Sequence, residues 1–293
     1  QGIGLASPRT LCIAIVRDLY SGDYMAKIIS IVVMVFILVP VIAPTLGQFL
    51  INYYDWESIF YVNIIYSTLV MIWFWFRQKE SLPKEKRIPL SSHLFIDGTK
   101  EFFKHKEAVA FTFVSGFITG SFMVYLSTSQ QIFQVQYNLG DLFPYIFASL
   151  AISIGLATYL NSRLVVKYGM MRISYAACIA YAAISVLYVI LFWSGNNPSV
   201  GILIGFFALQ FFAVGFLFGN LRAIAMQPLG HIAGIGAAIN GFISTVMAVP
   251  IANYIGGFVT DSVLPLFIGF SLFGIMSLLV FVILKRKTKV ITG

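Results

Sequence analysis

From Ile173 to Leu221 the chain runs for 49 residues without an Asp, Glu, Lys or Arg. No water-soluble fold accommodates such an element easily, because a soluble domain spends about a quarter of its residues on charge. A helix needs about 20 apolar residues to cross a bilayer core, so this run holds two spans. Ser194-Gly195-Asn196-Asn197-Pro198 divides them, since those residue types favour turns and Pro suits the first turn of a helix. The rest of the chain repeats the pattern, with 59% hydrophobic and 10% charged residues. Windows free of charge, or nearly so, fall at 1–16 (interrupted by Arg9), 28–50, 57–76, 108–131, 142–162, 173–194, 198–219, 232–256 and 262–284. Pro144, Pro198 and Pro265 stand at the starts of alternate windows, where a missing N–H costs little. The expectation is an all-α polytopic membrane protein with nine spans.

The charge that remains is sorted by position. The chain has 19 Lys+Arg against 11 Asp+Glu, a net +8, but the basic residues sit in short gaps and not on one folded face, which argues against nucleic-acid binding. Gaps 51–56, 132–141, 195–197 and 257–261 hold no Lys or Arg, only Asp55, Asp141 and Asp261, with Glu57 at an edge. The other gaps and the C-terminal tail hold 18 of the 19 basic residues. Basic residues are retained on the cytoplasmic side, so the tail Lys285-Arg286-Lys287-Thr288-Lys289 is expected there. Trp56 and Trp193 fall at the outer boundary and Trp73 and Trp75 at the inner one, as interfacial aromatics do. An odd number of spans puts Gln1 outside. With Gln1 and not Met at its start, no charged leader and no cleavage site, the chain reads as a fragment preceded by an odd number of helices. Cys12 and Cys178 both lie in apolar runs, so no disulfide framework, metal site or cofactor is expected.

Arg77–Glu107 is the one long hydrophilic stretch, and the organisation follows from it: 1–76 as the remainder of an N-terminal bundle, 77–107 as a cytoplasmic linker, 108–293 as a C-terminal six-helix bundle with a basic tail. Within the linker, Leu94, Phe95, Phe102 and Phe103 alternate with Asp97, Lys100, Glu101 and Lys104, compatible either with a short helix on the membrane surface or with a plain solvated connection. Val39-Pro40-Val41 and Gly47 recur as Val249-Pro250-Ile251 and Gly257, shifted by 210 residues. They fall in corresponding helices if three leading spans are restored, and parallel repeats of six helices characterise one large transporter class.

Several motifs then point to a family. Gln1-Gly2-Ile3-Gly4 resembles the end of the fourth-helix motif R-x-x-Q-G-x-G of drug/proton antiporters in the major facilitator superfamily. Ala43-Pro44-Thr45-Leu46-Gly47-Gln48 resembles the fifth-helix motif G-P-x-x-G-G, with Ala for the first Gly and Gln for the last. The Val16-Arg17-Asp18-Leu19-Tyr20 turn, Trp56 with Ile59-Phe60, and Pro228-Leu229-Gly230-His231-Ile232-Ala233-Gly234 together look like the bicyclomycin and chloramphenicol resistance (Bcr/CflA) branch. The resemblance implies helices four to twelve of a twelve-helix transporter in which two bundles rock about a midplane site. It also implies proton-coupled export of drugs or drug-like compounds, a gate loop at Arg17 and Asp18, and a fifth helix that seals the outer half. The residues give that seal a physical basis: Pro40 and Pro44 each remove a backbone hydrogen bond and bend the helix, and Gly47 permits close helix approach.

Arg9 is the sharpest single candidate. It stands eight residues before Arg17, roughly 12 Å at about 1.5 Å per residue, at a depth where arginine costs on the order of 2.5–3.5 kcal/mol. Either it lines a wet transport cavity, or it snorkels to the headgroups beside Pro8. No Asp or Glu stands at membrane depth, although proton coupling normally uses a buried carboxylate. The family places that group in a helix ahead of Gln1. Thr119, Phe122, Tyr125, Gln130, Gln131, Gln210 and Asn240 complete the candidate cavity, whose aromatic and amide character suits chemically varied ligands. For each amide alone, an interhelical hydrogen bond is the plainer reading. Asn161–Arg172 occupies the place of the superfamily's C-terminal loop motif but has Val166 where Asp is usual. His93, His105 and His231 lie in loops, so neither a metal site nor the paired groups of an intramembrane enzyme are expected. The partners expected are a small-molecule substrate, protons and lipid, with no obligate protein partner. Two other classes stay open: a facilitator for one specific solute, and a non-transporting receptor or scaffold.

Overall fold

A computed structural model describes residues 4, 8, 11, 12, 15, 16, 19 and 39, then 42–81 and 92–291. Among the described residues every regular element is helical. Residues 42–53 form a helix, followed by α1 (Ser58–Arg77), α2 (Ser92–Lys104), α3 (Lys106–Gln130), α4 (Phe143–Tyr168), α5 (Met170–Leu191), α6 (Val200–Met226), α7 (Ala233–Gly256) and α8 (Leu264–Ile291). Seven helices are long and apolar enough to cross a membrane, beginning with Ser58–Arg77 and ending with Leu264–Leu284. They coincide with the last seven windows read from charge. The first two windows fall largely outside the described residues.

The chain separates into two compact units, Gln1–Leu90 and Ser91–Gly293. In the first, the helix over 42–53 stops at Tyr54, and the turn through Asp55 and Trp56 is held by backbone bonds from Ser58 N to Asp55 O (3.0 Å) and Phe60 N to Glu57 O (3.0 Å). In the second, α3 packs on α7, α6 and α8, α5 packs on α8 and α6, and α4 packs on α6. The continuous core lies among α3, α5, α6 and α8, with Phe133, Tyr181, Phe207 and Phe267 fully enclosed. Small residues decide where the helices approach. A Cβ added at Gly120 would lie 2.8 Å from Ile251 Cδ1, and one at Gly215 would lie 2.6 Å from the backbone oxygen of Ile154. Both glycines are therefore notches that let neighbouring backbones close up, the packing device expected where apolar burial alone gives no preference between helix and lipid.

Helix ends depart from the charge-free windows. The sequence expects a loop over 161–172, but α4 continues to Tyr168 with Arg163 and Lys167 in its last turns. The reversal is made by Gly169 alone, at φ 79° and ψ 146°, a backbone region that L side chains rarely adopt. Likewise α6 extends to Met226 and a 3-10 segment, Gln227–Ile232, leads into α7, so Arg222 is a helical residue and not a loop charge. The C-terminal end of α3 continues as a π-helix over Gln131–Gln136, inside what the sequence reads as a gap. Backbone hydrogen bonding carries each helix past its apolar segment into the headgroup zone.

Candidate functional site

Of the residues expected to act in the first unit, Arg9, Arg17, Asp18 and Pro40 lie outside the described residues. Ala43, Pro44 and Gly47 are on the helix over 42–53. Among the described residues, a Cβ at Gly47 would meet nothing within 4 Å.

The candidates in the second unit divide by depth. Gln130 ends α3 and is exposed, its amide donating to Gln134 Oε1 at 2.9 Å within the π-helical turn, and Gln131 opens that turn half-buried. One helical face further in, Phe122 and Tyr125 are brought together against α6. The Phe122 ring meets Phe211 and Phe218 edge-on, each at 5.4 Å. Tyr125 is 2% exposed, stacked on Phe147 at 5.9 Å and edge-on to Phe211 at 4.6 Å. Pairs of this geometry each contribute about 0.5–1.5 kcal/mol beyond their area, so this is a packed aromatic wall. Gln210 is fully buried on α6 and donates to the backbone oxygen of Tyr181 at 3.3 Å. Asn240 donates to Thr112 Oγ1 at 2.7 Å and ties α7 to α3.

Most hydroxyls of α3 are satisfied locally, as Ser121 is by Phe117 O (2.8 Å) and Thr128 by Val124 O (2.7 Å). Ser115 Oγ, Tyr125 Oη and Gln210 Oε1 are buried with no hydrogen-bond partner among the described residues. Leaving such a group unpaired costs about 1–3 kcal/mol, and buried polar atoms in native structures are nearly always paired. Ser115 and Thr119 line a shallow recess with Phe218, Leu221 and Arg222. Phe218 is shared between that recess and the Phe122 ring, so Thr119, Phe122 and Arg222 border one continuous strip. Sequence reasoning missed Arg222 because it ended the window at Gly219. The apolar Leu221, Ile224 and Ala225 around it carried the helical signal. It lies on α6 four residues before that helix ends at Met226 and is exposed.

Two polar assemblies were also not foreseen. Asn161 and Asn220 exchange amide hydrogen bonds at 3.1 and 2.8 Å, joining α4 to α6 at the end that carries the basic residues. At the opposite end Asn197, read from sequence only as a turn residue, donates to Gln136 Oε1 (3.1 Å) and Asp261 O (3.2 Å) and accepts from Val263 N (2.9 Å). Gln136 donates to Thr260 O at 2.9 Å and Tyr137 donates to Pro198 O at 2.7 Å. All three turns at that end are thereby clasped together. Partial burial pushes the Tyr137 phenol up to about 12.

Comparison with known proteins adds the following. The Major Facilitator Superfamily profile matches residues 1–252. A bicyclomycin resistance protein homolog from Haemophilus influenzae is 32% identical over 180 residues, 60% of this chain and 45% of that protein. The MFS-type transporter YdgK of Bacillus subtilis is 27% identical over 266 residues, 87% of this chain and 64% of that protein. The multidrug resistance protein MdtL of Vibrio parahaemolyticus is 34% identical over 86 residues, 29% of this chain and 22% of that protein. The chain thus spans about half to two thirds of the length of the first two.

Proposed function

The chain belongs to the Major Facilitator Superfamily, and on that premise we propose that it serves proton-coupled export of drugs or drug-like small organic compounds. The observation that carries this reading is its likeness to a bicyclomycin resistance protein homolog and to MdtL, in agreement with the Bcr/CflA motifs in the sequence. The strip formed by Thr119, Phe122, Phe218 and Arg222 is suited to such ligands. Aromatic faces accept many shapes, the hydroxyl and guanidinium groups fix orientation, and small-molecule sites are commonly built from this mixture.

Within this reading, residues 1–76 belong to an N-terminal bundle, 77–107 to the linker and 108–293 to the C-terminal bundle. The basic end faces the cytoplasm of a bacterial cell, because retained Lys and Arg mark that side. The protein is a transporter and not an enzyme, and works by alternating access with protons as the driving ion. Arg9 is the cation assigned to substrate or to a coupling carboxylate, since a guanidinium at depth requires a partner or a wet surface.

Accumulation of fluorescent drugs in cells tests the proposal. Expression lowers the steady-state level of several unrelated compounds, and a protonophore abolishes the difference. Unchanged accumulation for all of them overturns multidrug export, and saturable, protonophore-insensitive movement of one solute would assign a facilitator instead. Arg9→Ala abolishes export at an unchanged amount of protein in the membrane. Wild-type efflux in that variant returns Arg9 to the snorkelling reading.

A further inference from the structure

Helix α2 has no role in the strip or the clasp, yet its faces are sorted. It stops at Lys104, the backbone bends at His105 (φ −85°, ψ 90°), and the membrane-capable span begins at Lys106. The helix is thus held within one residue of a span's end and turned off its axis. One face is pinned to the second unit. Phe102 is completely buried with Ala108 and Leu229, and a Cβ at Gly98 would lie 2.7 Å from Ile235 Cγ2. At about 100° per residue, the next sector holds Phe95, Thr99, Phe103 and Ile96. Phe95, Ile96 and Phe103 are 52%, 48% and 54% exposed. Thr99 is no obstacle to an apolar surrounding, because its hydroxyl donates to Phe95 O of the same helix at 2.7 Å. Beyond that sector come Lys100 and Lys104, and only then Asp97 and Glu101, on the edge remote from the aromatic sector. Glu101 accepts from Lys104 Nζ at 3.0 Å, and this hydrogen bond and charge hold its carboxyl below the usual carboxylate range.

We propose that α2 docks on the bilayer, with Phe95, Ile96 and Phe103 entering the boundary between acyl chains and headgroups, and Lys100 reaching the lipid phosphates. The order around the helix is that of an interfacial amphipathic segment, with apolar residues facing the acyl layer and long cations at headgroup level. Lipid is favoured over a protein partner by continuity with the span at Lys106 and by the acids being confined to the edge that faces away from the membrane. Through Phe102 on Leu229, the same helix braces the 3-10 segment between α6 and α7, so the leaflet and that turn share one rigid connector.

Spin labels on the full chain in vesicles of phosphatidylethanolamine and phosphatidylglycerol test this. With Cys12→Ser and Cys178→Ala removing the native thiols, single cysteines are introduced as Phe95→Cys, Ile96→Cys, Phe103→Cys and, for contrast, Asp97→Cys. The expected result is a several-fold preference for oxygen over a nickel chelate as relaxant at 95, 96 and 103, and the reverse at 97. Equal nickel access at all four positions means a solvated helix and overturns the proposal. Exclusion of both relaxants from 95 and 103 means a protein occupant and also overturns it. If the thiol-free background unfolds, the native chain carrying Phe103→Asp supplies the second reading. A faster release of residues 92–104 by protease in vesicles, equal to the native rate in detergent, is expected, and an unchanged rate in vesicles counts against docking. None of these outcomes touches the export reading, which is decided by drug accumulation.

Discussion

Helices α1 and α3 are equally hydropathic over their most apolar eighteen residues, yet 56% of that stretch is buried in α3 and none in α1. Most of the rest of the first unit lies outside the described residues, whereas the partners of α3 are described; the two helices also differ in composition. α3 carries Gly116 and Gly120, which let α7 approach, and a series of Ser and Thr that supply short hydrogen bonds. α1 contains neither Gly nor Ala and is filled with Tyr61, Tyr66, Trp73 and Trp75, all exposed. Hydropathy places a segment in the membrane, whereas small residues decide which of its faces meets another helix.

That contrast can be broken by adding volume where the helices are notched. Gly215→Leu is expected to have the largest effect, roughly 3 kcal/mol or more by the usual cost of overpacking, because its Cβ meets the Ile154 backbone, which cannot rotate away. Loss of the monodisperse peak on heating in detergent would register it, and an unchanged melting temperature would show that the α4–α6 contact is not a packed one. Asn197→Ala comes next, at about 1–3 kcal/mol for three part-buried or exposed hydrogen bonds lost together, read as a fall in melting temperature without a change in elution. Gly120→Ala follows at about 1 kcal/mol. Gly116→Ala costs less, because its nearest neighbour is the flexible end of Met247. At the end of α3 the sign of a pH effect is fixed. Tyr137 has its pKa raised to about 12 from an ordinary value near about 10. Its contribution is therefore complete below about pH 10 and is lost as the pH rises through about 12. Tyr137→Phe, melted across that range beside the native chain, should lack this alkaline step. In α1, Trp75→Leu should shift stability by less than about 0.5 kcal/mol, and a larger shift would reveal that α1 is a packed helix after all.

The spans were legible because charge is excluded from hydrocarbon, and the seven described ones stand where the charge-free windows put them. Their ends were not, because backbone hydrogen bonds continue through the headgroup zone. Arg163, Lys167 and Arg222 were therefore assigned to loops but stand on helices. At the candidate site, the amides Gln210 and Asn240 could be picked out as rare polar residues in apolar runs. Their partners, the Tyr181 carbonyl and Thr112, could not, because nothing in a linear sequence announces a contact 29 or 128 residues away. Gly47 and Gly120 look alike as letters. Only Gly120 is opposed by a neighbouring side chain within 4 Å among the described residues. Asn197 was hidden for a different reason: a turn already explains an Asn, so the sequence offered no surplus to be accounted for.

The clasp around Asn197 is made from amide groups, backbone carbonyls, one backbone N–H and one phenol. Asp261 contributes its main-chain oxygen, while its carboxylate accepts from Thr260. No link in it carries charge at neutral pH, so neither ionic strength nor a membrane potential acts on those bonds directly. It yields when the helices it joins are pulled apart, which makes this end of the second unit a mechanical fastening and not an electrostatic one.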